Sequence, residues 1–366
     1  MPAAAAMPAA AMPAAAAMPA AAMPNLMSKE SPSDIALALA SPSASPSKKA
    51  KLSAATERDV VKLTIDDRLV LVELGEYVAG GRYGSVYRAR ASSIPGSRFV
   101  VKVVSFHTAL DRKDAMNEFK IGTKLSRHPY IVHTYGGGPM HGNQFGICMQ
   151  AMDVTLHDWV HGGGYPLSKD RPTVTLLIGQ LLRAMGHMHG QTVVHRDLKP
   201  ANILLSHAGS PTDIYLTVAD FGVSRYCMDV EVQPCTNDGA YCTILYRAPE
   251  LLAGCPTYAT KVDDWSAGCI IAEMLTRQVA FPVNRFIDLH VLFHIFQRLG
   301  PPTQDDWKLI THDAALADMF CIGSTAPPIG LPGMQGISLC SLHLNFTYFA
   351  CTDIRAQAKT PRRSSW

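Results

Sequence analysis

The sequence predicts an α+β chain, with strands gathered before about residue 153 and helices after it. Three observations carry this. From about Leu69 apolar residues alternate along the chain, the period of a half-buried strand. Phe99-Val100-Val101 is an aromatic and β-branched run that ends abruptly in Lys102. Further on, Leu177, Leu181, Met185 and Met188 recur at the spacing of one helix face, so a helix is predicted over 173–190.

Composition bounds the rest. A chain of 366 residues holds two domains, or one large unit with tails. A net charge of +3 is too weak to argue for nucleic acid. The 9 cysteines are scattered and never spaced C-x-x-C, so reduced thiols in a cytoplasmic or nuclear setting are expected. No uncharged run is apolar enough to span a bilayer, and no membrane partner is expected.

Residues 1–68 read as unstructured. The chain opens on Met-Pro-Ala-Ala-Ala-Ala-Met-Pro-Ala-Ala-Ala, written twice and begun again. Alanine favours helix, but the recurring prolines remove donors and clash with the preceding turn. A Ser/Pro stretch follows, with Ser31-Pro32, Ser41-Pro42 and Ser45-Pro46, then Lys48-Lys49-Ala50-Lys51. That run fits a short nuclear-import pattern, although such runs are usually only solvated charge.

The strand from Leu69 runs into Val78-Ala79-Gly80-Gly81-Arg82-Tyr83-Gly84-Ser85-Val86, a Gly-rich turn whose backbone N–H groups are able to close over phosphates. Phe145 to Met149 read as another strand. The densest chemistry lies in Val193 to Leu205, where Asp197, Lys199 and Asn202 put an acid, a base and an amide in one turn between two apolar stretches. Asp220-Phe221-Gly222 and Ala248-Pro249-Glu250 follow in order.

These motifs in this order resemble the H-R-D-x-x-x-x-N, D-F-G and A-P-E signatures of eukaryotic protein kinases. The likeness covers about residues 69–310. It implies a two-lobed kinase fold, with a β-rich lobe over 69–153, a helical lobe over 154–320, and a divergent tail over 321–366. It also implies phosphorylation of serine or threonine in protein substrates with ATP and Mg²⁺. The Gly-rich loop matches at Gly81, Gly84 and Val86, with Ala79 in place of the first glycine. Residue by residue, Val78, Ala79, Gly80, Gly81, Gly84, Val86, Val100, Met149, Gln150, Met152 and Leu204 are placed at the ATP site. Lys102 is the phosphate-gripping lysine and Glu118 its counter-ion. Asp197 is the base, Lys199 the charge-offsetting lysine, and Asn202 and Asp220 the metal-holding pair. Gly122, where the family stacks a large apolar residue, is expected to loosen the helix that carries Glu118.

Lys199-Pro200 is similar to serine/threonine rather than tyrosine kinases. Thr243 to Leu252 and Asp263 to Met274 are similar to the cyclin-dependent and mitogen-activated (CMGC) group. In that group the arginine at 247 shapes a pocket for proline after the phosphoacceptor, which implies a proline-directed preference. Neither a cyclin-binding helix sequence nor a Thr-x-Tyr activation motif is present at the expected place. The register set by Thr243 and Arg247 puts the activating phosphothreonine on Asp238, with Thr236 as rival, and leaves Arg196 and Arg225 as its arginine ligands. Position 117, also a ligand there, is Asn117.

The likeness ends before the segment whose arginine braces the glutamate of A-P-E, so Glu250 is expected to lack its partner; Arg355 is the only candidate. Without the family's last helices, Trp265 and Ile270 to Met274 are expected to meet water, which would favour a regulatory partner or self-association. Residues 336–351 are apolar enough to cover part of that face. The alternative to a working enzyme is a catalytically weak scaffold that binds partners through the same lobes.

Overall fold

Strand-forming residues dominate up to Gln150, and they close on themselves. The computed structural model describes residues 60–81, 84–93, 98–207, 209–226, 243–255, 260–283 and 287–300. Six antiparallel strands, β1 (Val60–Ile65), β2 (Arg68–Gly81), β3 (Gly84–Arg90), β4 (Phe99–Ser105), β5 (Thr134–Met140) and β6 (Gln144–Gln150), form a closed barrel in the order β1-β2-β3-β4-β6-β5. Its interior is filled by Leu63, Val72, Val101 and Cys148, with Val61, Ile65, Val70 and Phe99 around them. Each of these sits on the inward half of a two-residue alternation.

The sheet starts earlier than the alternation from Leu69 predicts. Residues 60–65 lie in the sheet rather than in an unstructured linker: β1 pairs along its whole length with β2, and Thr64 and Ile65 pair with Gly137 and Gly136 of β5. Closure depends on a glycine. At Gly136, φ is +156°, and a Cβ there would stand 1.9 Å from the Thr64 carbonyl oxygen. Any side chain would push β1 off the barrel.

Helix α1 (Ala109–Leu125) crosses from β4 to β5. Thr108 caps it, accepting from the Asp111 amide, while the Asp111 carboxylate accepts from the Thr108 amide. Gly122 does not loosen this helix, contrary to expectation. The helix runs unbroken through it, and a Cβ at Gly122 would meet Thr134 Oγ1 at 2.9 Å and the Phe221 ring at 4.0 Å. The space that a larger side chain would take is already held by Thr134.

The second half is mainly helical and completes a bilobal α+β fold. Strand β7 (Val154–Thr155) leads into α2 (Leu156–His161) and α3 (Arg171–Gly190). Helix α3 buries Leu177, Leu181, Met185 and Met188, the predicted stripe, and begins at the Asp170 cap, whose carboxylate accepts from Thr173 N. Strands β8 (Val193–Val194), β9 (Ile203–Ser206), β10 (Tyr215–Val218) and β11 (Arg225–Tyr226) build two small sheets, β10-β9-β7 and β11-β8. Helices α4 (Pro249–Leu252), α5 (Lys261–Thr276) and α6 (Asp288–Leu299) follow. No helix among the described residues is long and apolar enough to cross a membrane.

The face of α5 that was expected to meet water does not. Trp265, Ile270, Ile271 and Met274 are all buried. Trp265 stacks on Phe281 with ring centroids 5.6 Å apart, and α5 packs against α3. At the other side of α5, Glu273 accepts from Tyr246 Oη and pairs with His161 Nε2, both at 2.7 Å. Among the described residues this face therefore offers no exposed apolar surface for self-association. Arg355 and residues 336–351 lie outside the described residues.

Candidate active site

Four strands set the polar groups and the loops do the fine placement. On β4 the register alternates so that Val101 points into the barrel while Lys102 emerges toward α1 and the β10–β11 connection. Lys102 Nζ donates to Glu118 Oε1 at 2.5 Å and to Asp220 Oδ1 at 2.8 Å. Lysine and glutamate are each only 6% exposed. Burial alone would lower the pKa of the ammonium, but Asp220 and Glu118 outweigh it and hold the group above its ordinary value. Burial raises the Asp220 carboxyl, and the Lys102 charge more than reverses that, so Asp220 stays ionised.

The Asp197 loop is a turn between β8 and β9, held from below. Asp263 is fully buried at the start of α5, and its two oxygens accept from the backbone amides of His195 (2.8 Å) and Arg196 (2.9 Å). His189 Nε2 adds a third bond at 3.0 Å. Burial raises the Asp263 carboxyl, but these hydrogen bonds and the neighbouring histidines pull it below its ordinary value. The loop is thus bent around one carboxylate, which lets Arg196 adopt a left-handed φ of 71°. Sequence reading placed Asp263 in a family motif without giving it a role. An acid at the head of a mainly apolar helix was the available signal.

On this support Asp197 Oδ2 receives Lys199 Nζ at 2.8 Å and Asn202 Nδ2 at 3.0 Å, and Oδ1 receives the Thr243 amide at 3.2 Å. Asn202 also donates to the Asp197 carbonyl at 2.8 Å. The β9–β10 hairpin returns the chain so that Ala219 N donates to Asn202 O at 2.9 Å, which sets Asp220 beside Asn202. Asp220 has φ 66°, a second left-handed position for a non-glycine residue. His195 Nε2 lies 3.0 Å from the Ala219 carbonyl oxygen, and its ring is 5.3 Å from that of Phe221.

Of the residues placed at the ATP site, Val86, Val100, Met149, Met152 and Leu204 are all half-buried. Val86 pairs with Lys102, and Val100 with Met149. The amides of Gln150 and Ala151 are taken by His133 O and Arg98 O, while the Met152 amide is unbonded among the described residues. Ala79, Gly80 and Gly81 pair with Val86, Ser85 and Gly84 in the β2–β3 hairpin, with Val78 exposed just before them. Gly84 is required as glycine, with φ +133° and a virtual Cβ 2.5 Å from Val103 O. Arg82 and Tyr83 lie outside the described residues.

The residues that the resemblance places around an activating phosphate and the A-P-E motif divide. Arg196 Nε donates to Val223 O at 2.6 Å, and Arg225 pairs with Asp114 of α1 at 2.8 Å. Arg247 pairs with Asp288 at the start of α6 at 2.9 Å. Glu250 forms no ion pair among the described residues, and burial pushes its carboxyl up from 4.5 to about 7. Asp238 and Thr236 lie outside the described residues.

Comparison with known proteins agrees with this geometry. Residues 72–320 match the family described as Protein kinase domain. Among curated proteins, cyclin-dependent kinase B2-1 of Arabidopsis thaliana is 32% identical over 240 residues, covering 63% of this chain and 73% of that protein. With Lys102, Glu118, Asp197, Asn202 and Asp220 assembled on a bilobal fold, the chain belongs to the eukaryotic serine/threonine protein kinases and is an ATP-dependent phosphotransferase acting on proteins.

Proposed function

We propose that this chain transfers the γ-phosphoryl group of ATP to a serine or threonine followed by proline, using the residues described above. The observation that carries the proposal is the double engagement of Lys102, which ties the helix of Glu118 to the strand end of Asp220 within one buried cluster. Phosphoryl transfer needs positioning and charge neutralisation more than covalent chemistry. Lys102 orients the phosphates. Asp197 orients the substrate hydroxyl and takes its proton, and Lys199 offsets charge on the migrating group. The donor set suits a hard divalent cation. Asp220 keeps one carboxylate oxygen clear of Lys102, and the amide oxygen of Asn202 accepts no hydrogen bond among the described residues. Asn202 and Asp220 would hold Mg²⁺, which neutralises charge on the phosphate oxygens.

The preference for proline rests on Arg247. Its ion pair with Asp288 fixes the guanidinium between the A-P-E segment and α6, where the residue after the phosphoacceptor would be read. The test is phosphate transfer by the purified chain to two peptides that differ only as Ser-Pro and Ser-Ala, beside an Asp197→Ala control. Transfer to the first at least about tenfold faster, abolished in the control, is expected; each tenfold corresponds to ~1.4 kcal/mol. Equal rates on both peptides remove the proline preference. No transfer to either favours the scaffold alternative.

A further inference from the structure

One stripe of α1 faces three consecutive residues of the segment after Asp220-Phe221-Gly222. Asp114 pairs with Arg225 at 2.8 Å, Asn117 Nδ2 donates to the Ser224 carbonyl at 2.9 Å, and Lys124 Nζ stands 4.9 Å over the Tyr226 ring. Positions 114, 117, 121 and 124 fall on one helix face, and Glu118 lies on its flank. The middle position, Ile121, is fully buried.

The same three residues are fixed on their other side to the catalytic loop. Arg225 and Tyr226 pair with Val194 and Val193 as β11 on β8, immediately before His195. Ser224 Oγ donates to the His195 carbonyl at 3.2 Å, and Arg196 Nε donates to Val223 O. Residues 223–226 thus form a bracket. One side grips the loop that carries Asp197 and the other grips the helix that carries Glu118. A helix that slides or turns against this bracket carries Glu118 away from Lys102.

We infer that Asp114, Asn117 and Lys124 are positioning residues that hold α1 to residues 224–226, and so set Glu118 on Lys102 from within the chain, without a bound partner. The inference rests on the kinase reading above. None of the three touches Lys102 or the loop of Asp197; each acts through the placement of the helix. The Asp114–Arg225 pair is 46% and 32% exposed, so its bare contribution to global stability is small, roughly that of a surface ion pair. Its leverage is on a local equilibrium, the seat of one helix, rather than on folding.

The test is a charge swap in the full chain, purified alone. Asp114→Arg, Arg225→Asp and the double variant are compared with the unaltered chain by two readouts. One is the affinity for Mg-ATP measured by calorimetry; the other is the rate of phosphate transfer, split into kcat and the KM values for ATP and peptide. Each single substitution is expected to weaken ATP binding and to raise the KM for ATP about fivefold, with the KM for peptide and the melting temperature little changed. The double variant restores the pair in reverse and is expected to return to within about twofold of the unaltered chain. Asn117→Leu, which keeps the volume and removes the donor, should give a loss of about threefold, in case the swapped chains fold poorly. Single variants that bind ATP as well as the unaltered chain, or a double variant no better than the singles, overturn the inference. An unaltered chain that binds ATP but transfers no phosphate refutes the kinase reading instead, and the binding arm still decides the positioning claim.

Discussion

Burial raises the carboxyls of two glutamates in this molecule, and what each meets there differs. Glu118 comes off α1 into a site only 6% exposed and finds the Lys102 ammonium at 2.5 Å. Glu250, in the first turn of α4, is also taken largely out of water but finds no cation among the described residues, and its carboxyl is pushed up to about 7. One carboxylate is kept in register by a charge that also organises Asp220. The other has no cationic partner among the described residues, and its raised carboxyl takes up a proton more readily. The difference teaches that a motif letter does not by itself fix its physics: what a buried acid does depends on the partner it is buried against.

The sharpest way to break this contrast is to make Glu118 resemble Glu250. In Lys102→Met the glutamate is left buried without its cation, and the half-buried Asp220 loses its direct partner. Phosphate transfer should fall by on the order of a hundredfold or more, and urea unfolding should show a loss of about 3–5 kcal/mol. Asp220→Ala separates the two effects. Lys102 keeps Glu118, so activity is lost to a similar degree while stability should change by about 1 kcal/mol or less, read from the same unfolding curves.

Asp263→Ala comes next. It removes the acceptor for two loop amides and His189, leaving N–H groups buried and unpaired. A loss of about 3 kcal/mol in stability and a fall of about a hundredfold in kcat are expected, with the KM for ATP little changed.

Glu250 itself gives a smaller and pH-dependent effect. Its folded value lies above the ordinary 4.5, at about 7, so its contribution to stability is fully present below pH 4.5 and is lost as pH rises through 7. Stability measured by urea unfolding should therefore fall by up to about 3 kcal/mol from this group between pH 4.5 and 7.5. Glu250→Gln should flatten that part of the profile and leave the chain more stable than the unaltered form at pH 7.5. A profile unchanged by Glu250→Gln would mean that the carboxylate has a cationic partner after all.

Much of the site was legible because phosphoryl transfer fixes short motifs. Asp197, Lys199 and Asn202 lie in one turn, and Asp220 follows in the next hairpin, so local spacing carried them. Lys102 and Glu118 were placed by the end of one strand and the next helix. What spacing did not show was long-range pairing. Asp263 reaches His195 and Arg196 over 68 and 67 residues of chain, and Asp114 reaches Arg225 over 111, with no periodic signal at either end. Strand β1 was missed because a six-residue alternation, Val60 to Ile65, sits directly after a Ser/Pro and lysine-rich stretch whose composition dominates any window. Its partner signal, three glycines at 136–138, is interpretable only once β5 is known to lie beside it. Gly122 was misread for a related reason. A missing side chain on a helix predicts a gap only if nothing else fills it, and Thr134 does.

The central claim is that the Lys102 cluster and the Asp197 loop form one working phosphotransfer site. Transfer of radiolabelled phosphate from ATP to a Ser-Pro peptide by the purified chain, with the Asp197→Ala chain prepared identically, tests it most directly. The account predicts magnesium-dependent labelling on serine that falls by on the order of a hundredfold or more in the variant. Equal labelling by the two proteins, or none by the unaltered chain while it still binds ATP, would contradict it.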